Sequence, residues 1–346
     1  MLQEIIVYKS NLDHKKYLLV FGPAKKILFF SIIDEDYLVE SIYNLKVTNI
    51  NYQNQTAFVS CKDMDYFVNL FDSKVQLGSS LLCQLVWLGN DEKQPKVKVG
   101  FNLIGKYVVI NNNKINKYSC NINSVIDNYV NDKKITGVVF RSSVDSLNNY
   151  DLLFNELDQL INIRNFLNIQ QNKQIGLLYK APSMFIRFIR EQHDLNKCKI
   201  YTNDLVSYEE ILGYKESWGI GNIHYEENLL IDVNKYDEDI KNNYYIYQDI
   251  KVKFNKFSGI NLIDIDNMNA KMSFYQSNLI VLDLIVEKII LKDLTGIILI
   301  DLIKNMTIKQ KKHIIERMKI LFNNDFRKVK IFGFTGSEMF ELIRMK

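Results

Sequence analysis

At 346 residues with 47% hydrophobic side chains, the chain is long enough for two or more cores, since single cores stop growing near ~250 residues. The net charge of +4, from 44 basic and 40 acidic residues, is too small to point to a polyanionic partner by itself. Abundant Asn, Lys, Ile and Tyr with only three prolines (Pro23, Pro95, Pro182) read as genome composition, which discounts the lysines as a nucleic-acid signal.

In chain order, residues 1–35 read as short strands, Ile5–Tyr8, Lys16–Phe21 and Ile27–Ile33, with a Gly22-Pro23 turn between the last two. Residues 37–110 read as five more: Glu40–Asn51, Gln55–Cys61, Tyr66–Leu70, Ser80–Leu88 and Lys96–Ile110. Five strands at this spacing suggest a small barrel, with the OB/S1 type as one candidate. The polar, Asn-rich stretch Asn111–Asn131 reads as a loop or insertion. Thr136–Arg141 then forms an apolar strand, and Leu152, Leu153, Leu157, Leu160, Ile161 and Phe166 recur at helical spacing. Gln174–Tyr179 is a strand, Pro182 opens a helix through Glu191, Lys197–Tyr201 is a strand, and Ile246–Phe254 a longer one. From Gly259 the order is strand Gly259–Ile265, helix Gln276–Leu291, strand Gly296–Leu302, helix Ile308–Phe322, strand Lys328–Phe334 and a final short helix. Such alternation predicts parallel strands under right-handed crossovers.

Cys61, Cys83, Cys120 and Cys198 lie far apart, without a C-x-x-C pair or a nearby histidine, so reduced thiols and no structural zinc are expected. No basic stretch precedes an apolar run at the N-terminus, and Leu279–Leu291 carries Asp283, Glu287 and Lys288, too short and charged to span a bilayer. These features predict a cytoplasmic protein with no membrane span.

Two apolar strands end alike, Ile263-Asp264-Ile265-Asp266 and Leu299-Ile300-Asp301-Leu302. In neighbouring parallel strands, spaced roughly 4.8 Å apart, Asp264 and Asp301 lie side by side at the carboxyl ends, where such sheets bind ligands. Magnesium is a hard cation usually held by one or two carboxylates, and it keeps waters that serve hydrolysis of a phosphodiester. Asp266 falls on the same strand face. Strand-end aspartates also serve as helix N-caps or loop solubilisers, and spacing does not decide between these uses.

Several segments together resemble the ribonuclease E/G family. Asn278-Leu279, Leu291-Lys292-Asp293-Leu294 and Gly296-Ile297-Ile298-Leu299-Ile300-Asp301-Leu302-Ile303 resemble its "NLEAA…LRDLGGIIVIDFIDM" stretch, and Ile263-Asp264-Ile265-Asp266 its "IDIN" or "VDVN". Phe334-Thr335-Gly336-Ser337-Glu338-Met339-Phe340-Glu341-Leu342-Ile343-Arg344 resembles its closing segment "ISRFGLLEMTRKR". Ser41-Ile42-Tyr43-Asn44-Leu45-Lys46-Val47 resembles "NIYKGKV", Thr56-Ala57-Phe58-Val59 resembles "AAFVD", and Gly137-Val138-Val139-Phe140-Arg141-Ser142 resembles "GLIVRTA". Each match is weak alone; their common order through nearly the whole chain carries the resemblance.

The resemblance implies a multidomain α+β and α/β architecture: an RNase H-like subdomain in two parts (1–36 and 171–255), an inserted S1 (OB-type) barrel (37–110), a 5′-sensor region (111–170), and a DNase I-like catalytic subdomain (256–346). It implies a magnesium-dependent endoribonuclease cleaving single-stranded RNA, or alternatively a catalytically weak or inactive RNA-binding relative. Asp264 and Asp301 would hold Mg2+, with Asp266 as a third catalytic residue where the family usually has asparagine. Phe58 and Phe67 would stack on bases and Lys93 contact phosphate, while Arg141 and Ser142 would sense a 5′-monophosphate. Read without the family, Phe58 and Phe67 fit a barrel core, Arg141 a surface ion pair, and Lys93 a solvated turn. Lys304 and Asn305 stand near a second family aspartate, and the linker between Asp264 and Asp301 is shorter than the family's. The zinc-link and small dimerisation domain that follow in the family are not in this sequence, so the resemblance leaves oligomeric state open.

Overall fold

The computed structural model describes residues 4–345, apart from 23–24, 26, 34–38, 63, 71–74, 90–92, 112–114, 121–123, 172, 193–194, 258, 270 and 326. Pro23, and with it the expected Gly22-Pro23 turn, lies outside the described residues. Strands β1 (Glu4–Lys9), β2 (Lys16–Phe21) and β3 (Ile27–Ile33) open the chain, followed by β4 (Ile42–Asn51), β5 (Thr56–Cys61), β6 (Met64–Asn69), β7 (Ser80–Trp87) and β8 (Lys96–Val99). Next come β9 (Asn102–Ile104), β10 (Val108–Asn111), β11 (Lys117–Tyr118), α1 (Ser124–Asp132), β12 (Val138–Phe140), α2 (Asp151–Gln170), β13 (Gly176–Tyr179) and α3 (Met184–Arg190). The chain continues through β14 (Lys199–Thr202), α4 (Leu205–Trp218), β15 (Asn222–Tyr225), α5 (Val233–Lys241), β16 (Tyr244–Tyr247), β17 (Ile250–Phe257) and β18 (Ile260–Asn267). It ends with α6 (Phe274–Leu291), β19 (Gly296–Asp301), α7 (Ile308–Leu321), β20 (Val329–Phe334) and β21 (Phe340–Arg344).

These elements make two compact units, one of residues 1–33, 197–209 and 221–346, the other of 34–196 and 210–220. In the second unit, β4 pairs with β13 outside the barrel and with two partners within it. Ile42–Lys46 pairs with β7 and Lys46–Asn51 with β5, so β4-β5-β6-β8-β7 closes into a five-stranded, OB-like barrel. Alternation along the strands sends Leu45, Val47, Ala57, Val59, Tyr66, Val68, Cys83, Leu85 and Val97 inward. The strand expected over Lys96–Ile110 is three strands. Gly100, at φ +73°, ends β8, and β9 and β10 then join β12 and β11 in a separate sheet. The polar stretch read as a loop contains β11 and α1, whose Ile126 and Val130 are buried.

The first unit holds two sheets. One has the order β15-β14-β1-β2-β3, and its aromatic face packs Tyr8, Tyr17, Phe21 and Phe30 with Val233 of α5 and Leu291 of α6. The other has the order β16-β17-β18-β19-β21-β20. Its inward residues, among them Val252, Phe254, Ile263, Ile298, Ile300, Phe340 and Leu342, pack against Val281, Leu282, Ile285 and Ile289 of α6 and Ile314 and Met318 of α7. Both helices start at capping boxes, Ser273 with Gln276 and Thr307 with Gln310, which satisfy two otherwise orphan N–H groups apiece.

Three expectations for this second sheet are corrected. Ile246–Phe254 is not one strand but the hairpin β16–β17, because Gln248 (φ 48°) and Asp249 (φ 60°) form a left-handed two-residue turn. The final short helix is strand β21, whose burial alternates with period two. The sheet is mixed rather than parallel: β18 and β19 are parallel, while β21 lies antiparallel between β19 and β20. Helices α4 and α5 lie between the strand expected at Lys197–Tyr201 and the one expected at Ile246–Phe254, where the sequence reading places no element.

Candidate active site and RNA-binding face

Asp264 of β18 and Asp301 of β19 are register partners at the carboxyl ends of the parallel pair. Ile263, Ile265 and Ile300, their neighbours in sequence, point into the core, so both carboxylates stand on the sheet face away from α6 and α7. Both are half-buried, and among the described residues neither takes part in an ion pair or accepts a side-chain hydrogen bond. Asp266 is exposed one row further on, opposite Lys251. Among the described residues, no group of three or more His, Cys, Asp or Glu side chains is placed to share a metal ion. A cation here would rest on the Asp264–Asp301 pair, with Asp266 apart from it.

The turn after Asp301 is fixed by Asn278, a fully buried side chain in the first turns of α6. Its Nδ2 donates to the Ile303 carbonyl (2.8 Å), and its Oδ1 accepts from the Ile303 N–H (2.9 Å). Both ends of the amide are used on one residue, which sets where β19 stops. The motif Asn278-Leu279 was visible in the sequence; the clamp, 25 residues distant, was not.

On the barrel, Phe58 and Phe67 are cross-strand partners with ring centroids 6.0 Å apart, and Phe58 is 40% exposed. They lie outside the core formed by the inward residues. The same row continues through Lys96 and Trp87, since Phe67 pairs with Lys96 and Lys96 with Trp87. This aromatic and basic strip suits bases and phosphates in alternation. Sequence reasoning missed Lys96 and Trp87; the register between β6 and β8 is the missing information. Lys93 is exposed in the connection before β8.

Arg141 follows β12 and caps a short 3₁₀ helix, Ser142–Ser146, with Ser142 exposed at its first position. The guanidinium donates to the Gly105 carbonyl (2.6 Å) and pairs with Glu191. Glu191 also receives Arg190 Nε (3.0 Å), and Arg190 makes a two-pronged pair with Glu40 (2.9 Å each). Burial pushes the Glu191 carboxyl up, but Arg141 and Arg190 outweigh it and hold it below the usual range. Beneath Arg141, the Gly105–Val108 turn is held by buried Glu156. Its carboxylate accepts the N–H groups of Lys106 (2.8 Å), Tyr107 (2.7 Å) and Val108 (3.2 Å) and the indole N–H of Trp218 (2.9 Å). Desolvation raises its pKa while these four donors oppose the rise. A Cβ on Gly105 would meet that carboxylate at 2.5 Å, so a larger residue would have to displace a carboxylate held by four donors.

The model of the Ribonuclease E/G family matches residues 103–346, a stretch that holds Arg141, Asp264 and Asp301. The chain belongs to the ribonuclease E/G family. Membership suggests an endoribonuclease with RNA as substrate. The match begins after the five-stranded barrel, so the ribonuclease E/G assignment of residues 1–102 rests on the motifs and on the OB-like closure. No curated protein matches the chain. Among the described residues no helix is long and apolar enough to cross a membrane.

Proposed function

We propose that the protein is a magnesium-dependent endoribonuclease of single-stranded RNA, with Asp264 and Asp301 as the metal-holding pair. The observation that carries this reading is their register partnership at the carboxyl ends of two parallel strands. The donor set fits the ion: two half-buried carboxylates, committed to no other side chain among the described residues, match the one or two that magnesium usually takes. Bound magnesium would supply charge to offset that of the phosphodiester and would favour deprotonation of an attacking water. The reaction is hydrolysis: water oxygen bonds to phosphorus, one P–O ester bond breaks, and the leaving oxygen takes a proton. Asp264 and Asp301 hold the charge that fixes the site, Asn278 fixes the strand end carrying Asp301, and the Phe58–Phe67–Lys96 row grips the single strand.

In this reading the chain follows the family's plan: RNase H-like at 1–36 and 171–255, S1-like at 37–110, sensor at 111–170 and DNase I-like at 256–346. Arg141 and Ser142 serve as the 5′-phosphate sensor, with the phosphate displacing Glu191 from the guanidinium. Lys93 adds a phosphate contact.

A 5′-monophosphorylated, AU-rich single-stranded RNA incubated with the protein and magnesium tests the reading. Cleavage that disappears in both Asp264→Asn and Asp301→Asn is expected. Cleavage unchanged in both variants refutes the assigned pair. A second reading, an RNA-binding relative without turnover, is favoured by exposed Asp266, which adds negative charge where the scissile phosphate approaches. Salt-sensitive RNA binding with no cleavage by the wild type would select it.

A further inference from the structure

We infer that Lys253 is a phosphate-contacting residue of the carboxylate site; this rests on the endoribonuclease reading and extends it to substrate binding. In the antiparallel β17–β18 pair Lys253 is the register partner of Asp264, and Asp264 is in turn the partner of Asp301. Lys253, Asp264 and Asp301 therefore form one row across three adjacent strands. Val252 and Phe254 flank Lys253 in sequence and are buried against the helices, so the lysine projects from the carboxylates' face.

On β17, β18 and β19 the charge of this face gathers at one end. The next row along these three strands, Asn255–Leu262–Leu299, is uncharged and continues into Glu341 of β21, and beyond it Phe257, Ile260 and Ile297 are exposed at 59%, 38% and 37%. Lys251, the other lysine on this face of β17, lies opposite Asp266 with its ammonium 4.6 Å from the centre of the Tyr244 ring. Lys253 has no such engagement: among the described residues it makes no ion pair with Asp264 or Asp301, although its stem spans the roughly 4.8 Å between strands. A lysine serving only as cross-strand counter-charge would close that pair.

Charge bookkeeping gives Lys253 its use. Two carboxylates and one divalent cation sum to zero, and Asp266 one row on faces Lys251, so the pair and its cation leave no spare positive charge. A phosphodiester adds a further negative charge. A fixed ammonium beside Asp264 offsets it and gives a non-bridging phosphate oxygen a donor, while its charge opposes cation binding on the same pair.

The full chain with Lys253→Ala or Lys253→Arg tests this by three readouts. Binding of the AU-rich RNA is read in magnesium by stopped-flow anisotropy, before turnover, over a range of salt. Manganese affinity is read separately by electron paramagnetic resonance, and cleavage by gel. Lys253→Ala should weaken RNA binding by about 10-fold and reduce the salt slope by ~0.7, the share of one single-strand phosphate contact. Its manganese affinity should be equal to or higher than the wild type's, and Lys253→Arg should retain RNA affinity. An unchanged salt slope, or weaker manganese binding in Lys253→Ala, overturns the proposal. Manganese affinity unchanged in Asp264→Asn would instead overturn the endoribonuclease reading beneath it, so the two failures are distinguishable.

Discussion

Arg344 offers the sharpest test of how the sheet around Asp301 is held. Its side chain is fully buried on β21 and donates to Asp325 through Nε (2.6 Å) and a terminal nitrogen (3.0 Å). A third nitrogen donates to Asp293 (2.8 Å) and to the Leu294 carbonyl (3.0 Å). Asp293 keeps a second partner in Arg327, at 2.7 and 2.6 Å, so it survives loss of Arg344. The Asp325 side chain is fully buried, and Arg344→Met leaves its charge without the guanidinium. Removing one partner of a buried pair costs about 3–5 kcal/mol, whereas replacing both with apolar side chains is often neutral. Arg344→Met should therefore speed amide exchange across Gly296–Asp301 and Phe340–Arg344 by about two to three and a half orders of magnitude, at ~1.4 kcal/mol per decade. The double variant Arg344→Met/Asp325→Leu should recover most of that protection. Hydrogen-exchange mass spectrometry resolves these peptides and avoids Trp87 and Trp218, which lie in the other unit. Exchange in β19 and β21 unchanged by Arg344→Met would refute the claim that this ion cluster anchors them.

Other consequences follow from the same geometry. Burial raises the Asp293 carboxyl but Arg327 and Arg344 outweigh it, leaving it below its ordinary value. That contribution is present above the unfolded pKa of ~3.9 and is lost as pH falls through the lower folded value, so acid should loosen β19–β21 by exchange only below about pH 4. Phe58→Ala and Phe67→Ala should each weaken single-stranded RNA binding by the ~1–3 kcal/mol of one stacked base, in titrations followed by anisotropy, with little loss of stability. Glu191→Gln should loosen the hold on Arg141 and raise the preference for 5′-monophosphate over 5′-hydroxyl RNA by several-fold, measured as a ratio of Kd values.

Much of the sheet that carries Asp264 and Asp301 was legible because its signals are local. Apolar runs ending in aspartate marked β18 and β19, and their parallel order followed from an intervening helix. The register Asp264–Asp301 then realised what the spacing had proposed. The segment 340–344 was misread because five residues with alternating burial are too short to separate a strand from a helical turn. The left-handed turn at Gln248-Asp249 lacks glycine, the usual signal, so the hairpin was hidden. The surroundings of Arg141 were out of reach for another reason. Glu191 is 50 residues away, Glu40 is 150 from Arg190, and Glu156 meets an indole 62 residues on. No local pattern encodes such partners; only the closed fold brings them together.

The position of β21 has a consequence for the order in which the molecule can be built. It is made after β20 yet lies between β20 and β19, so when β20 leaves the ribosome its place in the ladder has no neighbour. Until residues 340–344 emerge, β19, which carries Asp301, presents an open edge, and the two basic side chains that gather Asp293 and Asp325 are not both present. A nascent chain would thus hold the Asp264–Asp301 pair on a frayed sheet, and β21, translated after β20, would act as the keystone that sets it.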